Sequence, residues 1–224
     1  KVSTYLDKKI NCPDFTTQNQ NVSFLDKVVG CISVKKEQFK QLDELVKSRF
    51  IEMFGDPIKN DKKFSVKKVI DVVTLQRGFD LPVQNRDNTG IIPVYGANGI
   101  MGHHNLSKTD YGVITGRSGT LGEVYYSDIP FWPLNTTLFS KDTHGNNLIF
   151  LKYLLDFYDL KRFASGAGVP TLNRNEFHNK EIIDVPIELQ NTFAEFVKQV
   201  DKSKFVVSLA QEFFMRNFYI FIVH

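Results

Sequence analysis

Three short segments of this chain carry side chains able to grip a polyanion or to shape a loop around one. The densest is Thr115-Gly116-Arg117-Ser118-Gly119-Thr120-Leu121-Gly122. It is not a P-loop, because the lysine that must reach the phosphates is missing. It is not a nucleophile elbow either, because Thr120 stands where the second glycine belongs. Lying between two predicted strands, it is open to two readings. One is a plain hairpin with glycines at the turn positions. The other is a turn whose glycines, Gly116 and Gly119, let backbone approach a ligand, with Arg117, Ser118 and Thr120 as donors. An arginine there can offer two parallel hydrogen bonds to a phosphate or to a guanine edge.

The second segment runs from Ala164 to Arg174 and contains Gly166, Gly168 and Asn173. It lacks the third glycine of a dinucleotide fingerprint and follows a predicted helix, the wrong context for one. It reads either as a flexible connector or as a small-residue loop whose basic shoulders, Lys161, Arg162 and Arg174, track a sugar-phosphate backbone. The third segment, Leu75-Gln76-Arg77-Gly78-Phe79-Asp80, fits a surface turn and a base-reading Gln76–Arg77 pair equally well.

Other chemistries find little support. His103 and His104 are expected in a loop; they are adjacent, so their rings point apart, and no cysteine or carboxylate spacing completes a metal site around them. Asp159-Leu160-Lys161 offers half of a nuclease centre, at a predicted helix end and without a partner carboxylate. Cys12 and Cys31 show no metal spacing and read as reduced thiols of a cytoplasmic protein. Trp132, with Phe131 and Pro133, reads as core. The formal charge of +3 neither requires nor excludes a nucleic-acid partner. No signal peptide is expected, and Arg216 cuts the apolar run 218–223 too short for a membrane span of ~20 residues.

The elements that must hold these segments are clearer than the segments themselves. Leu25, Ile32, Phe39, Val46 and Met53 recur every seven residues, with Val28 and Leu42 between them. Phe193, Val200, Val207 and Phe214 do the same, with Phe196 and Ala210 between. A sustained period of seven predicts helices packed along their length on other helices. The first runs from about Phe24 to Phe54, with Ser23 as its cap, Lys35 and Arg49 at inner positions, and Gly55-Asp56-Pro57 as its stop.

Between the helices the apolar runs become short and β-rich. Strands are expected at 91–95, 111–115, 122–126, 134–139 and 182–185, and a helix at 147–158. The expected fold is α+β: one mixed domain flanked by two long helices that form an antiparallel coiled-coil stalk. The expected divisions are an irregular arm at 1–21, a first helix at 22–56, the mixed domain at 57–188, a second helix at 189–217, and a buried apolar tail at 218–224.

Several of these stretches, in this order, resemble the specificity subunit of bacterial type I restriction-modification systems. The resemblance is carried by Ser48-Arg49-Phe50-Ile51-Glu52-Met53-Phe54-Gly55-Asp56-Pro57, Arg77-Gly78-Phe79 and Ile92-Pro93-Val94-Tyr95-Gly96-Ala97-Asn98-Gly99. It continues through Thr115 to Gly122, Ala164 to Asn173, and Leu189-Gln190-Asn191-Thr192-Phe193. It implies a non-catalytic subunit that reads duplex DNA and binds no cofactor. The partner methyltransferase subunit carries S-adenosylmethionine, and a motor-nuclease (restriction) subunit completes the assembly.

A full-length member of that family has two recognition domains separated by paired helices. This chain carries one, so the resemblance implies a half-subunit in which a real two-fold axis between two copies replaces an internal one. The implied DNA contacts are Gln76, Arg77, Arg117, Ser118, Thr120, Lys161, Arg162, Asn173 and Arg174. Gly116, Gly119, Gly166 and Gly168 shape loops. A coiled-coil scaffold with an inert head is the alternative, followed by a stand-alone nuclease or hydrolase, for which no acid, base and nucleophile converge in the sequence.

Overall fold

The computed structural model describes residues 12–223 apart from Asn88 and Ala167, and describes only the backbone from Ala210 onward. Residues 1–11 of the expected arm, and the side chains of the expected tail, lie outside the described residues. The chain divides into two compact units, one of residues up to Leu45 with those from Ser203, the other Val46–Lys202.

In the first unit, helix α1 (Phe15–Phe54) contributes its residues up to Leu45. It starts at Phe15, not after Ser23, so residues 15–21 are helix where an irregular arm was expected. Asp14 is the reason: its Oδ1 accepts a hydrogen bond from the Thr17 N–H at 2.7 Å and satisfies an otherwise orphaned donor. The Thr/Gln/Asn-rich composition misled because glutamine is a fair helix former once a cap precedes it. Val28, Ile32, Lys35, Phe39 and Leu42 form a half-buried stripe at alternating steps of four and three residues. Leu25 lies off it and is 58% exposed. Lys35 Nζ sits 5.0 Å from the Phe39 ring centre. Helix α5 (Ile187–Val223) continues past 217 through the stretch expected to be a separate tail. Within this unit Lys204 Nζ meets Asp43 Oδ1 at 2.5 Å. Among the described residues no helix is long and apolar enough to cross a membrane.

The second unit is the mixed domain together with the adjoining turns of both helices. Gly55 closes α1 at φ +70°, its N–H donating to the Ile51 carbonyl at 2.8 Å. Strand β1 (Ser65–Lys68) follows, then a single turn α2 (Val69–Val72) and β2 (Thr74–Arg77). The hairpin of β3 (Ile92–Gly96) and β4 (Gly99–His104) comes next, then β5 (Gly112–Gly116), β6 (Val124–Ser127), β7 (Trp132–Pro133) and β8 (Thr137–Asp142). Helix α3 (Leu148–Phe157) leads to β9 (Ala164–Ser165), β10 (Thr171–Leu172), α4 (Arg174–His178) and β11 (Glu181–Asp184).

These strands form an antiparallel sheet of order β2-β8-β5-β6 and a second sheet of order β4-β3-β7 in which β3 and β7 are parallel. Two small ribbons, β1–β11 and β9–β10, complete the set. Leu81, Val94, Trp132 and Leu134 form one core cluster, and Tyr95, Ile114, Phe131 and Phe139 another, with Phe79 packed against both. Trp132 is buried, as its neighbours in sequence led us to expect.

A third, phenylalanine-rich core joins α1, α3 and α5 inside this unit. The Phe50 ring lies 4.9 Å from Phe54, 4.5 Å from Phe157 and 5.5 Å from Phe193. Phe54 lies 5.1 Å from Phe150 and 5.6 Å from Phe193. Burying each such side chain contributes about 2–3 kcal/mol. A buried glutamine fixes how two of these helices begin. Gln190 Nε2 donates to the Val185 carbonyl at 2.8 Å and to Asn146 Oδ1 at 2.7 Å, and its Oε1 accepts from the Asn147 N–H at 2.9 Å. Asn147 Oδ1 in turn caps α3 by accepting from the Ile149 N–H at 3.0 Å.

Candidate nucleic-acid interface

Strands β5 and β6 pair antiparallel, Thr115 opposite Val124, so the Gly116–Gly122 segment is the turn of a hairpin. It is a tethered turn. The Arg117 N–H donates to the Thr136 carbonyl at 2.8 Å, and the Gly119 N–H to the Pro170 carbonyl at 3.1 Å. The Arg117 carbonyl accepts from the Leu172 N–H at 2.8 Å, and Ser118 bridges antiparallel to Thr171. The turn is therefore stitched to the β7–β8 connection on one side and to β10 on the other. Gly116 is required by crowding: a Cβ there would lie 1.9 Å from the Thr120 carbonyl oxygen. Gly119 adopts φ +87°, a region that side chains disfavour. Gly166 also has a positive φ, whereas Gly168 faces open space with an ordinary backbone.

That stitching brings together residues far apart in sequence. Arg77 ends β2 opposite Leu138 of β8. Arg174 opens α4, whose cap is Asn173, its Oδ1 accepting from the Glu176 N–H at 3.3 Å. Arg77, Arg117, Asn173 and Arg174 all line one recess of about 390 Å³, with Ser165, Thr171, Asn175, Leu138 and Leu172. No acidic residue is in that lining. Arg117 is half-buried, and its Nη1 donates to the Asn135 carbonyl at 3.3 Å. The Asn135 side-chain amide donates to Asp80.

Other sequence candidates lie outside the recess. Gln76 pairs in β2 opposite Phe139, and Thr120 is exposed in the turn. Lys161 runs along Gly122, and the Arg162 guanidinium covers the Tyr158 and Phe163 rings at 5.2 and 5.1 Å. Ser165 and Thr171 lie in the 164–174 segment but were not expected as contacts, and Asn175, which directly follows Arg174, was missed. His103 and His104 belong to β4, not to a loop. Hydrogen bonding to β3 gives them their strand, and His104 Nδ1 accepts from the Asp87 N–H at 3.1 Å. Among the described residues no group of three or more His, Cys, Asp or Glu side chains is placed to hold a metal ion. Cys12 and Cys31 are free and exposed.

A buried histidine locks two walls of the recess together. His178, at the end of α4, accepts a hydrogen bond through Nε2 from the Leu75 N–H of β2 at 2.9 Å. Burial, reinforced by the Arg174 charge, lowers its pKa from 6.5. The unfolded chain therefore binds a proton before the folded one does as pH falls, and folding loses stability on the acid side. Denaturant midpoints are expected to fall progressively below about pH 6.5. His178→Gln should flatten that slope, and an unchanged slope would remove His178 from this role.

Comparison with known proteins gives one family and one fold. Residues 61–206 match the family described as the type I restriction modification DNA specificity domain. No curated protein matches the sequence. Among solved structures, the S subunit of a type I restriction-modification system from M. genitalium is similar at TM-score 0.58 and 16% identity, covering 87% of this chain and 57% of that one. The HsdS subunit from Thermoanaerobacter tengcongensis is similar at TM-score 0.54 and 13% identity, covering 86% and 51%. A chain from a study of complex assembly and conformational transition of the type I R-M system is similar at 0.51 and 13%, covering 89% and 55%. This chain thus spans little more than half the length of the structures it matches.

Proposed function

The chain belongs to the type I restriction modification DNA specificity domain family, and from that premise we propose that it reads one half of a bipartite duplex site for a restriction-modification complex. The observation that carries this reading is the meeting of the family match with the acid-free recess of Arg77, Arg117 and Arg174 inside the matched region. Affinity comes from cations on phosphates, and sequence choice from donors at groove edges. The chain is a reader and not a catalyst. S-adenosylmethionine belongs to the methyltransferase subunit that it positions, and the restriction subunit acts on the assembled complex.

The long helices α1 and α5 act as an antiparallel stalk that docks the methyltransferase subunit and pairs two copies of the chain. Support for that arrangement comes from the contacts of Phe54 with Phe193 and of Arg49 with Phe196, and from the heptad spacing of the apolar residues. Two copies related by a two-fold axis would read the same half-site twice in inverted orientation. Co-expression with the methyltransferase subunit, followed by mapping of methylated adenines, tests this. We expect the two to co-purify and methylation to fall in a split palindrome. Failure to co-purify, together with methylation that ignores sequence, would sink the reading.

A further inference from the structure

The arginine recess has a feature that general DNA binding does not require. Three arginines line it from three separate segments: the end of β2, the β5–β6 turn and the start of α4. Among the described residues none of the three takes part in an ion pair. Acids on neighbouring segments are engaged elsewhere, Asp80 with the Asn135 amide and Glu176 with Lys180 at 3.7 Å. Arg117 spends one donor on the Asn135 carbonyl, and Arg174 one on Asn175 Oδ1 at 3.4 Å. Each guanidinium has five donors, so most of them stay available to a ligand.

The geometry favours one kind of anion. Like charges gathered without an acid repel one another, and the tethered turn and the α4–β2 lock hold them in place against that repulsion. A base edge is flat and is read by one planar fork lying in its own plane. A phosphodiester presents unesterified oxygens that accept from several directions, and arginines supplied by three separate segments suit it better. The Ser165 hydroxyl adds a neutral donor to the lining. We propose that this recess seats a single DNA phosphate and sets the register of the head on the duplex, while bases are read by residues outside it. The inference rests on the reading of the head as a duplex reader.

The test uses the full chain with its co-expressed methyltransferase subunit and duplexes selected from a randomised pool. Single phosphates in the selected duplex are replaced, one position at a time, by neutral methylphosphonate. One position per half-site should weaken binding about tenfold, the loss of a charge-assisted hydrogen bond. In Arg117→Ala, and separately in the exposed Arg77→Ala, that position should become nearly silent. The selected consensus should stay the same, and the log–log salt slope should shrink by about 0.9. Arg77→Ala keeps the test alive if the half-buried Arg117 proves necessary for folding. A consensus that relaxes at one base pair, with every methylphosphonate penalty intact, would overturn the proposal in favour of base reading. Selective binding untouched by either arginine change would defeat the phosphate seat alone. Failure of the unaltered complex to select any duplex would take the duplex-reading premise down with it.

Discussion

Phe50→Ala is expected to cost the domain about 3–5 kcal/mol, the range for truncating a buried aromatic. Phe50 is fully buried and meets Phe54, Phe150, Phe157 and Phe193, so its loss leaves a hole bounded by α1, α3 and α5 at once. The surrounding rings belong to three helices anchored separately, by Gly55, Asn147 and Gln190, and they have little freedom to collapse inward. A natural domain has only ~5–15 kcal/mol in total, so this one change removes a large share. Denaturant midpoints at constant slope give the value. Leu25→Ala, at an exposed position of the same helix, serves as the control and should stay within about 0.5 kcal/mol. A loss below about 1 kcal/mol at Phe50 would mean that the helices do not share a core with the mixed domain.

Gly116→Ala should be nearly as damaging and should also abolish duplex binding. The added methyl would lie 1.9 Å from the Thr120 carbonyl oxygen and 3.1 Å from the Thr120 carbonyl carbon. Both are backbone atoms, so no side chain can swing aside. The turn has to open, and with it go the bonds from Arg117 to Thr136 and from Leu172 to Arg117 that aim the arginine. We expect a destabilisation of about 3 kcal/mol, the upper part of the range for overpacking. Binding should be lost even at temperatures where the sheet signal persists. Gly168→Ala is the matched control: nothing lies within 4 Å of its added methyl and its φ is ordinary. It should be neutral, or slightly stabilising because it restricts the unfolded chain. Equal behaviour of the two variants would show that the turn does not position the site.

The contrast between these two glycines shows where reading along the chain stops. From sequence, Gly116, Gly119, Gly166 and Gly168 are equivalent members of small-residue loops. The structure separates them: Gly116 has the Thr120 carbonyl against it, Gly119 and Gly166 have a positive φ, and Gly168 faces open space. Arg77, Arg117 and Arg174 were each recognisable as candidates, but so were Lys161 and Arg162, which lie against Gly122 and over the Tyr158 and Phe163 rings. Strands β1, β2, β4, β7, β9 and β10 went unseen, β2 and β4 for a related reason. Thr74-Leu75-Gln76-Arg77 has little β character of its own and is a strand because β8, some sixty residues on, supplies its hydrogen bonds. Gly99 to His104 carries two glycines and is held by β3.

Periodicity and punctuation fixed the long helices, their Gly55 stop, the strands richest in β-branched residues and the family resemblance. Each of these signals is local: a helix closes its hydrogen bonds four residues away, and a seven-residue repeat is visible without knowing its partner. The recess is not local. Its walls come from β2, a turn beside β10 and the start of α4, and they meet only because the β2-β8-β5 register, the Ser118–Thr171 bridge and the His178–Leu75 bond all close together. Hydrogen bonds between segments so far apart leave no spacing rule in the chain, so folding alone gathers the three arginines into one site.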